Sequence, residues 1–295
     1  MPPPQPVHRL TRRRVLAAAA AVLPRGGPAL TVADRLGALE RARSARLGVF
    51  ARDLTTGRTV RYRADEPFPL CSVFKAVAVA AVLRDLDRDG AFLGTRFRYT
   101  AGDVARSGHA PVTGLPENLE RGMTGAELCA AALTHSDNAA ANLLLRELGG
   151  PGAVTRFCRS IGDGVTRLDR WEPELNSAEP GRMTDTSTPR ALGRTFARLT
   201  VGPALADADR RRLTGWLLGS TTGGNRLRAG LPQGWTIAEK TGTGRYGTAN
   251  DVGIARRPAG GPITIAVLST HHTPAAPPDD HLLAEVAALL AAAMT

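Results

Sequence analysis

The run Ala76-Val77-Ala78-Val79-Ala80-Ala81-Val82-Leu83 contains no glycine, proline or polar residue. It reads as a buried helix, so the rest of the chain has to enclose it. At 295 residues the chain is long enough to do so, with one large core or two intimately packed lobes. Its 43% hydrophobic and 22% charged content is that of an ordinary soluble globular protein. Directly before the run stands Cys71-Ser72-Val73-Phe74-Lys75. Positions three apart share a helix face, which places the Lys75 ammonium within reach of the Ser72 hydroxyl. Ser72 then lies at the helix N-terminus, where free N–H groups favour developing negative charge. A serine hydroxyl is a poor nucleophile without an adjacent base, and this arrangement offers one.

A serine three residues before a lysine is common, and its ordinary reading is a helix cap beside a solvated lysine. Residue usage favours the other reading. Of the 38 lysines and arginines only two are lysine, Lys75 and Lys240. Arginine supplies positive charge everywhere else, and an amine differs from a guanidinium in being able to lose its proton. Lys240 lies in Lys240-Thr241-Gly242, so both lysines fall in candidate motifs.

The net charge of +11 is partly a property of the N-terminus, where residues 1–33 hold five arginines and no acid. The other arginines form no stripe and are not interleaved with aromatics, which argues against a nucleic-acid partner. Cys71, Cys129 and Cys158 are too few, and odd in number, for a disulfide scaffold. The only adjacent histidines are His271 and His272, and no spacing suits a metal. Thr11-Arg12-Arg13-Arg14-Val15-Leu16, followed by the apolar stretch Ala17 to Leu23, resembles a twin-arginine export signal. That stretch is too short for a stable membrane span. The expectation is a signal peptide over 1–33, cut after Ala33, and a secreted or periplasmic product with no stable membrane insertion.

Downstream, residues 34–44 read as a helix, and Arg46 to Arg63 as a hairpin around Thr55-Thr56-Gly57. Thr124-Gly125-Ala126-Glu127 is a capping box opening a helix. A break at His135-Ser136-Asp137 precedes a second helix, stopped by Gly149-Gly150. Residues 165–190 form a long polar loop, a feature usually kept for function. Helices follow at 190–200 and 207–218, strands at 235–240, 250–256 and 263–269, and a final helix at 280–294. Strands at both ends around a helical middle imply that the ends share one sheet.

Four motifs stand in order: Ser72-Val73-Phe74-Lys75, Ser136-Asp137-Asn138, Glu172-Pro173-Glu174-Leu175-Asn176 and Lys240-Thr241-Gly242. Together they resemble the signature set of class A serine β-lactamases, and the resemblance runs from about residue 34 to 295. It implies an α/β fold of the α+β two-lobe kind. A five-stranded antiparallel sheet flanked by helices (34–64 with 221–295) carries an inserted helical domain (65–220), with the active site in the cleft between them. It implies a cofactor-free, metal-free monomer that opens the ring of penicillins and cephalosporins through an acyl-enzyme, giving antibiotic resistance.

By the resemblance, Ser72 is the nucleophile, with an oxyanion hole at the backbone N–H groups of Ser72 and Thr243. Lys75 and Lys240 supply the field for proton transfer, Ser136 protonates the leaving nitrogen, and Glu172 with Asn176 activates the deacylating water. Either Lys75 or Glu172 is the acylation base. Asn138, Thr241, Gly242 and Thr243 face the substrate, and Arg226 supports its carboxylate because Ala249 occupies the more usual arginine position. Asn142, the Arg170–Asp185 pair and a cis bond before Pro173 hold the loop around Glu172. His109 stands where the family usually carries an aromatic wall. Gly244 and Val79 replace the usual partners of Cys71 and Cys129, leaving all three cysteines as buried thiols. The alternatives are a D-alanyl-D-alanine peptidase, which the Glu172 loop disfavours, and a penicillin-binding sensor that is acylated without turnover.

Overall fold

The computed structural model describes residues 30–294. The arginine motif at 12–14 and the apolar stretch at 17–23 lie outside them. Helix α1 (Val32–Ala42) opens at an N-cap, Thr31, which forms a reciprocal capping box with Asp34. A cut after Ala33 would fall within α1 and separate cap from helix.

Strands β1 (Arg46–Asp53) and β2 (Thr59–Tyr62) form the expected hairpin, with β1 buried at most positions. The chain then leaves the sheet and returns as β3 (Thr236–Gly244), β4 (Thr248–Arg256) and β5 (Ile263–Thr270). Among the described residues these strands make one antiparallel sheet in the order β2-β1-β5-β4-β3. The two chain ends therefore meet at β1 and β5, as the pattern of strands predicts. β4 and β5 are buried on both faces, so the run of β5 is largely apolar without alternation, while β4 buries Asn250 and Asp251 among its apolar residues. On one face lie α1 and the terminal helix α8 (Asp280–Met294), contributing Leu36, Leu282, Leu283, Val286 and Leu290 to a core with Val49 and Val267.

The other face packs against the larger core of the inserted segment. At its centre is α2 (Phe74–Ala81), all of whose residues are buried, as an uninterrupted apolar helix requires. Around it stand α3 (Gly125–Thr134), α4 (Asn138–Glu147), α5 (Gly152–Ser160), α6 (Pro189–Thr200) and α7 (Asp207–Leu218). The capping box read at Thr124 and Glu127 is present and starts α3. The inserted segment also holds two short ladders, Phe68–Pro69 with Thr186–Ser187 and Arg96–Phe97 with Met123–Thr124. The first ties the end of the long polar loop to the chain entering α2. Residues 31–294 belong to one compact unit. Among the described residues no helix is long and apolar enough to cross a membrane.

Candidate active site

Residues Cys71–Val73 make a single 3-10 turn that feeds straight into α2. Ser72 thus sits at the N-terminus of the central helix, with Lys75 one turn further on. Cys71 reaches this position with a positive φ of 44°, a conformation rarely held outside glycine and typical of functional turns. Ser72 is 7% exposed and Lys75 fully buried. Sequence spacing predicts direct contact between the two, and the structure instead joins them through a shared acceptor. Glu172 Oε1 lies 3.2 Å from Ser72 Oγ and 3.0 Å from Lys75 Nζ.

Lys75 also donates to Asn138 Oδ1 at 2.6 Å and to the Ser136 carbonyl at 2.7 Å. Ser136 projects from the break between α3 and α4 with φ at 58°. Its neighbour Asp137 pins that break by accepting from the backbone N–H groups of Val112, Thr113 and Ala140 and from the Thr113 hydroxyl. On the far side, Lys240 donates to Ser136 Oγ at 3.0 Å and to the Thr241 carbonyl at 2.9 Å. The Ser136 hydroxyl thus accepts from Lys240, leaving its own proton to be donated into the cleft. Burial lowers the pKa of Lys75, partly offset by the Glu172 carboxylate. Lys240 is pushed well below the ordinary lysine value, first by burial and then by the Lys75 charge. Two amines that give up protons readily are what a proton relay needs, and arginine could not replace them.

Glu172 is 2% exposed, held within the polar loop by partners on every side. Asn142 on α4 clamps its backbone, accepting from Glu172 N–H at 3.1 Å and donating to Glu172 C=O at 2.9 Å. Asn176 Nδ2 holds Glu172 Oε2 at 2.5 Å. The Glu172–Pro173 bond is cis. Arg170 Nε meets Asp185 Oδ2 at 2.6 Å, and Asp185 Oδ1 accepts from the N–H groups of Asp169 and Arg170. The two ends of the loop are thereby closed on a buried carboxylate.

The recognition side is the edge of the sheet. Among the described residues no strand pairs outside β3, and Thr241 and Thr243 on this edge strand line the cleft. A Cβ on Gly242 would come within 2.9 Å of the Leu70 carbonyl and 3.2 Å of Cys71 Cβ. Glycine is what lets this edge approach the Ser72 turn. The cleft has a volume of about 320 Å³ and is lined by Ser72, His109, Ser136, Asn138, Asn176 and Thr243, with Thr222, Arg226 and Thr241. All five catalytic candidates are thus brought together with the substrate-facing ones. Asn138 spends Oδ1 on Lys75 and one N–H on the Ser107 carbonyl, leaving its second N–H for a ligand. Arg226 is 5% exposed and serves four acceptors: it donates to Asp280, to the carbonyls of Gly242 and Asn250, and to Thr243 Oγ1 at 2.8 Å. It stands behind Thr243, so that hydroxyl accepts from Arg226 and directs its own proton into the cleft.

Thr222 is a site residue that the motifs did not single out. Its hydroxyl lies 2.5 Å from Thr241 Oγ1. The available signal was its place four residues before Arg226. Cys71, Cys129 and Cys158 are free and buried, as expected, and burial raises the pKa of each thiol.

The profile of the beta-lactamase enzyme family matches residues 31–294. A beta-lactamase of Streptomyces lavendulae is 61% identical over 97% of this chain and 98% of its own. The carbapenem-hydrolyzing beta-lactamase KPC of Klebsiella oxytoca is 49% identical over 80% of each chain. The solved structure of the beta-lactamase from Streptomyces albus G, 60% identical, superposes with a TM-score of 0.88 over 89% of this chain and 98% of that one. With the family profile covering residues 31–294 and this constellation in its cleft, the chain belongs to the beta-lactamase enzyme family, as a class A serine β-lactamase.

Proposed function

We propose that the enzyme hydrolyses penicillins and early cephalosporins by a two-step path through Ser72. In the first step Ser72 Oγ attacks the lactam carbonyl, and the C–N bond of the ring breaks as the oxyanion, held by backbone N–H groups of Ser72 and Thr243, collapses. The proton of Ser72 has an acceptor in place at Glu172 Oε1. The leaving nitrogen takes its proton from Ser136, Lys75 resupplies Ser136, and Lys75 in turn takes from Glu172 the proton that came from Ser72, so Glu172 is a carboxylate again before the second step. In the second step water attacks the ester, Glu172 takes its proton, and Ser72 recovers its own. Thr241 and Thr243, backed by Thr222 and Arg226, hold the substrate carboxylate. Asn138 and Asn176 hold its amide side chain and the water.

The observation that carries this reading is the placement of Glu172. Its carboxylate is buried, bonded to the nucleophile through one oxygen and to Asn176 through the other. A base so fixed supports repeated hydrolysis of the acyl-enzyme, which the sensor reading does not require, and it stands on the Glu172 loop that disfavours a peptidase. We further propose a monomer, exported by the twin-arginine segment at 12–14 and released without stable membrane insertion.

The test is hydrolysis of benzylpenicillin and a chromogenic cephalosporin, followed by intact mass. Many turnovers are expected, with none in Ser72→Ala and a stalled acyl adduct in Glu172→Ala. A stoichiometric, long-lived adduct on Ser72 of the unaltered enzyme would overturn the proposal in favour of a peptidase or sensor.

A further inference from the structure

Behind the carboxylate-binding wall lie two carboxyl groups that the mechanism above does not use. Glu239 on β3 and Asp251 on β4 are both 0% exposed. The strand register pairs Thr241 with Asp251 and Glu239 with Gly253, so the two acids sit diagonally across one face of the sheet. Lys240, between Glu239 and Thr241, points to the opposite face. As diagonal neighbours on one face, the two side chains are close enough for their carboxyls to interact. Arg228 Nη2 approaches Glu239 Oε1 at 2.7 Å, and Leu227 N–H donates to Asp251 Oδ2 at 3.2 Å. The Arg228 contact is an ion pair, and Glu239 Oε1 and Oε2 and Asp251 Oδ1 have no hydrogen-bond donor, although all are buried. A half-exposed guanidinium does not neutralise two buried carboxylates, and each remaining oxygen needs a hydrogen.

The segment that covers this pair is the one that builds the recognition wall. A Cβ on Gly223 would come within 2.0 Å of Glu239 Oε1, so the backbone at 223 rests directly on the carboxyl. Arg228, held by Glu239, donates in turn to the Ser220 carbonyl at 3.1 Å. Asp251 holds the N–H of Leu227, the residue after Arg226. Between these anchors lie Thr222, which touches Thr241, and Arg226, which touches Thr243.

We propose that Glu239 and Asp251 are positioning residues that share a single proton, and that this shared proton seats residues 220–228 so that Thr222 and Arg226 brace the hydroxyls receiving the substrate carboxylate. The proposal rests on the carboxylate-binding role given to Thr241 and Thr243. Burial, followed by the neighbouring Asp251 charge, raises the Glu239 pKa to about 9. Burial likewise raises Asp251, opposed by Arg226 and Lys240. The charged groups around the pair are therefore Arg228 and Arg226 on the covering segment and Lys240 on β3, with Asp280 of α8 reaching the pair only through Arg226. When the shared proton leaves, two adjacent carboxylates repel and the covering segment loses its seat.

Two measurements on the full chain test this. Carbon-13 NMR of carboxyl-labelled enzyme reads the proton directly, without substrate. One glutamate signal is expected to keep its protonated position through neutral pH and move only near pH 9. If every glutamate titrates in the ordinary range of about 4 to 5, the proposal is wrong. The second is KM for benzylpenicillin against pH. In the unaltered enzyme KM should rise about tenfold on the alkaline side, the loss of one hydrogen bond to a charged group. In Glu239→Gln, whose amide donates to Asp251 at every pH, the ratio of alkaline to neutral KM should stay near one. A Glu239→Gln profile that follows the unaltered enzyme would overturn the proposal. Failure of the substrate reading itself would appear differently, as no turnover at any pH with the NMR signal intact.

Discussion

Arg226 offers the sharpest test of how the cleft recognises its substrate. Its guanidinium serves four acceptors while 5% exposed: Asp280 Oδ1 at 2.8 Å, the carbonyls of Gly242 and Asn250 at 2.9 Å each, and Thr243 Oγ1 at 2.8 Å. Truncation to alanine leaves these groups without their donor. Breaking a buried ion pair costs about 3–5 kcal/mol. Asp280 is 34% exposed and rehydrates, which brings the loss down to about 2–3 kcal/mol. For a domain of this size that lowers Tm by roughly 5–10 °C. The catalytic effect is separate. Thr243 loses the donor that orients its hydroxyl, a loss of about 1.4 kcal/mol or tenfold in kcat/KM. Arg226→Lys keeps the charge but has three donors for four acceptors, so it should fall between the two. The assay compares benzylpenicillin with its methyl ester, which lacks the carboxylate, alongside thermal unfolding. Arg226→Ala should lose activity on the acid and little on the ester. Equal losses on both substrates would refute the recognition argument, and an unchanged Tm would refute the energetic one.

Asn142→Ala removes both clamps on the Glu172 backbone, and kcat should fall about a hundredfold with acyl-enzyme accumulating, seen as a burst followed by a slow steady state. Thr124→Ala should cost about 1 kcal/mol through loss of the α3 cap, lowering Tm by roughly 2–4 °C with kcat unchanged. Burial alone would raise the pKa of Asp163, but donors from Thr166, Thr195 and Val165 outweigh it and the net shift is downward. A depressed folded-state pKa stabilises above the unfolded value and is lost as pH falls. Acid unfolding curves below about pH 4 should therefore be flatter in Asp163→Asn than in the unaltered enzyme.

Much of the fold was legible because its signals were local and mutually consistent. The apolar helix, the Thr124 capping box and the buried runs of β4 and β5 each carry their own signature, and their order along the chain implies that the two ends share a sheet. The catalytic residues were legible for a different reason: four short motifs in one order leave few alternatives. What the sequence did not disclose lies across the sheet and across loops. Spacing alone put Lys75 against Ser72, whereas a third residue a hundred positions away, Glu172, stands between them as common acceptor. Glu239 carries no periodic or motif signal, because its neighbour Asp251 comes from a strand whose register is set only in the folded sheet, and Thr222 is marked only by its nearness to Arg226. Arg226 could be placed near the cleft from sequence, but its position behind Thr243 depends on side-chain packing that no local pattern encodes.

The three cysteines have a consequence for where this protein can mature. Each is a closed-off thiol whose burial holds it in the protonated, unreactive form. Nothing in the tertiary structure waits on an oxidant, so folding reaches completion in a reducing compartment as readily as in an oxidising one. The finished molecule has no covalent crosslink for a reductant to cut, and its melting temperature should be the same with and without dithiothreitol.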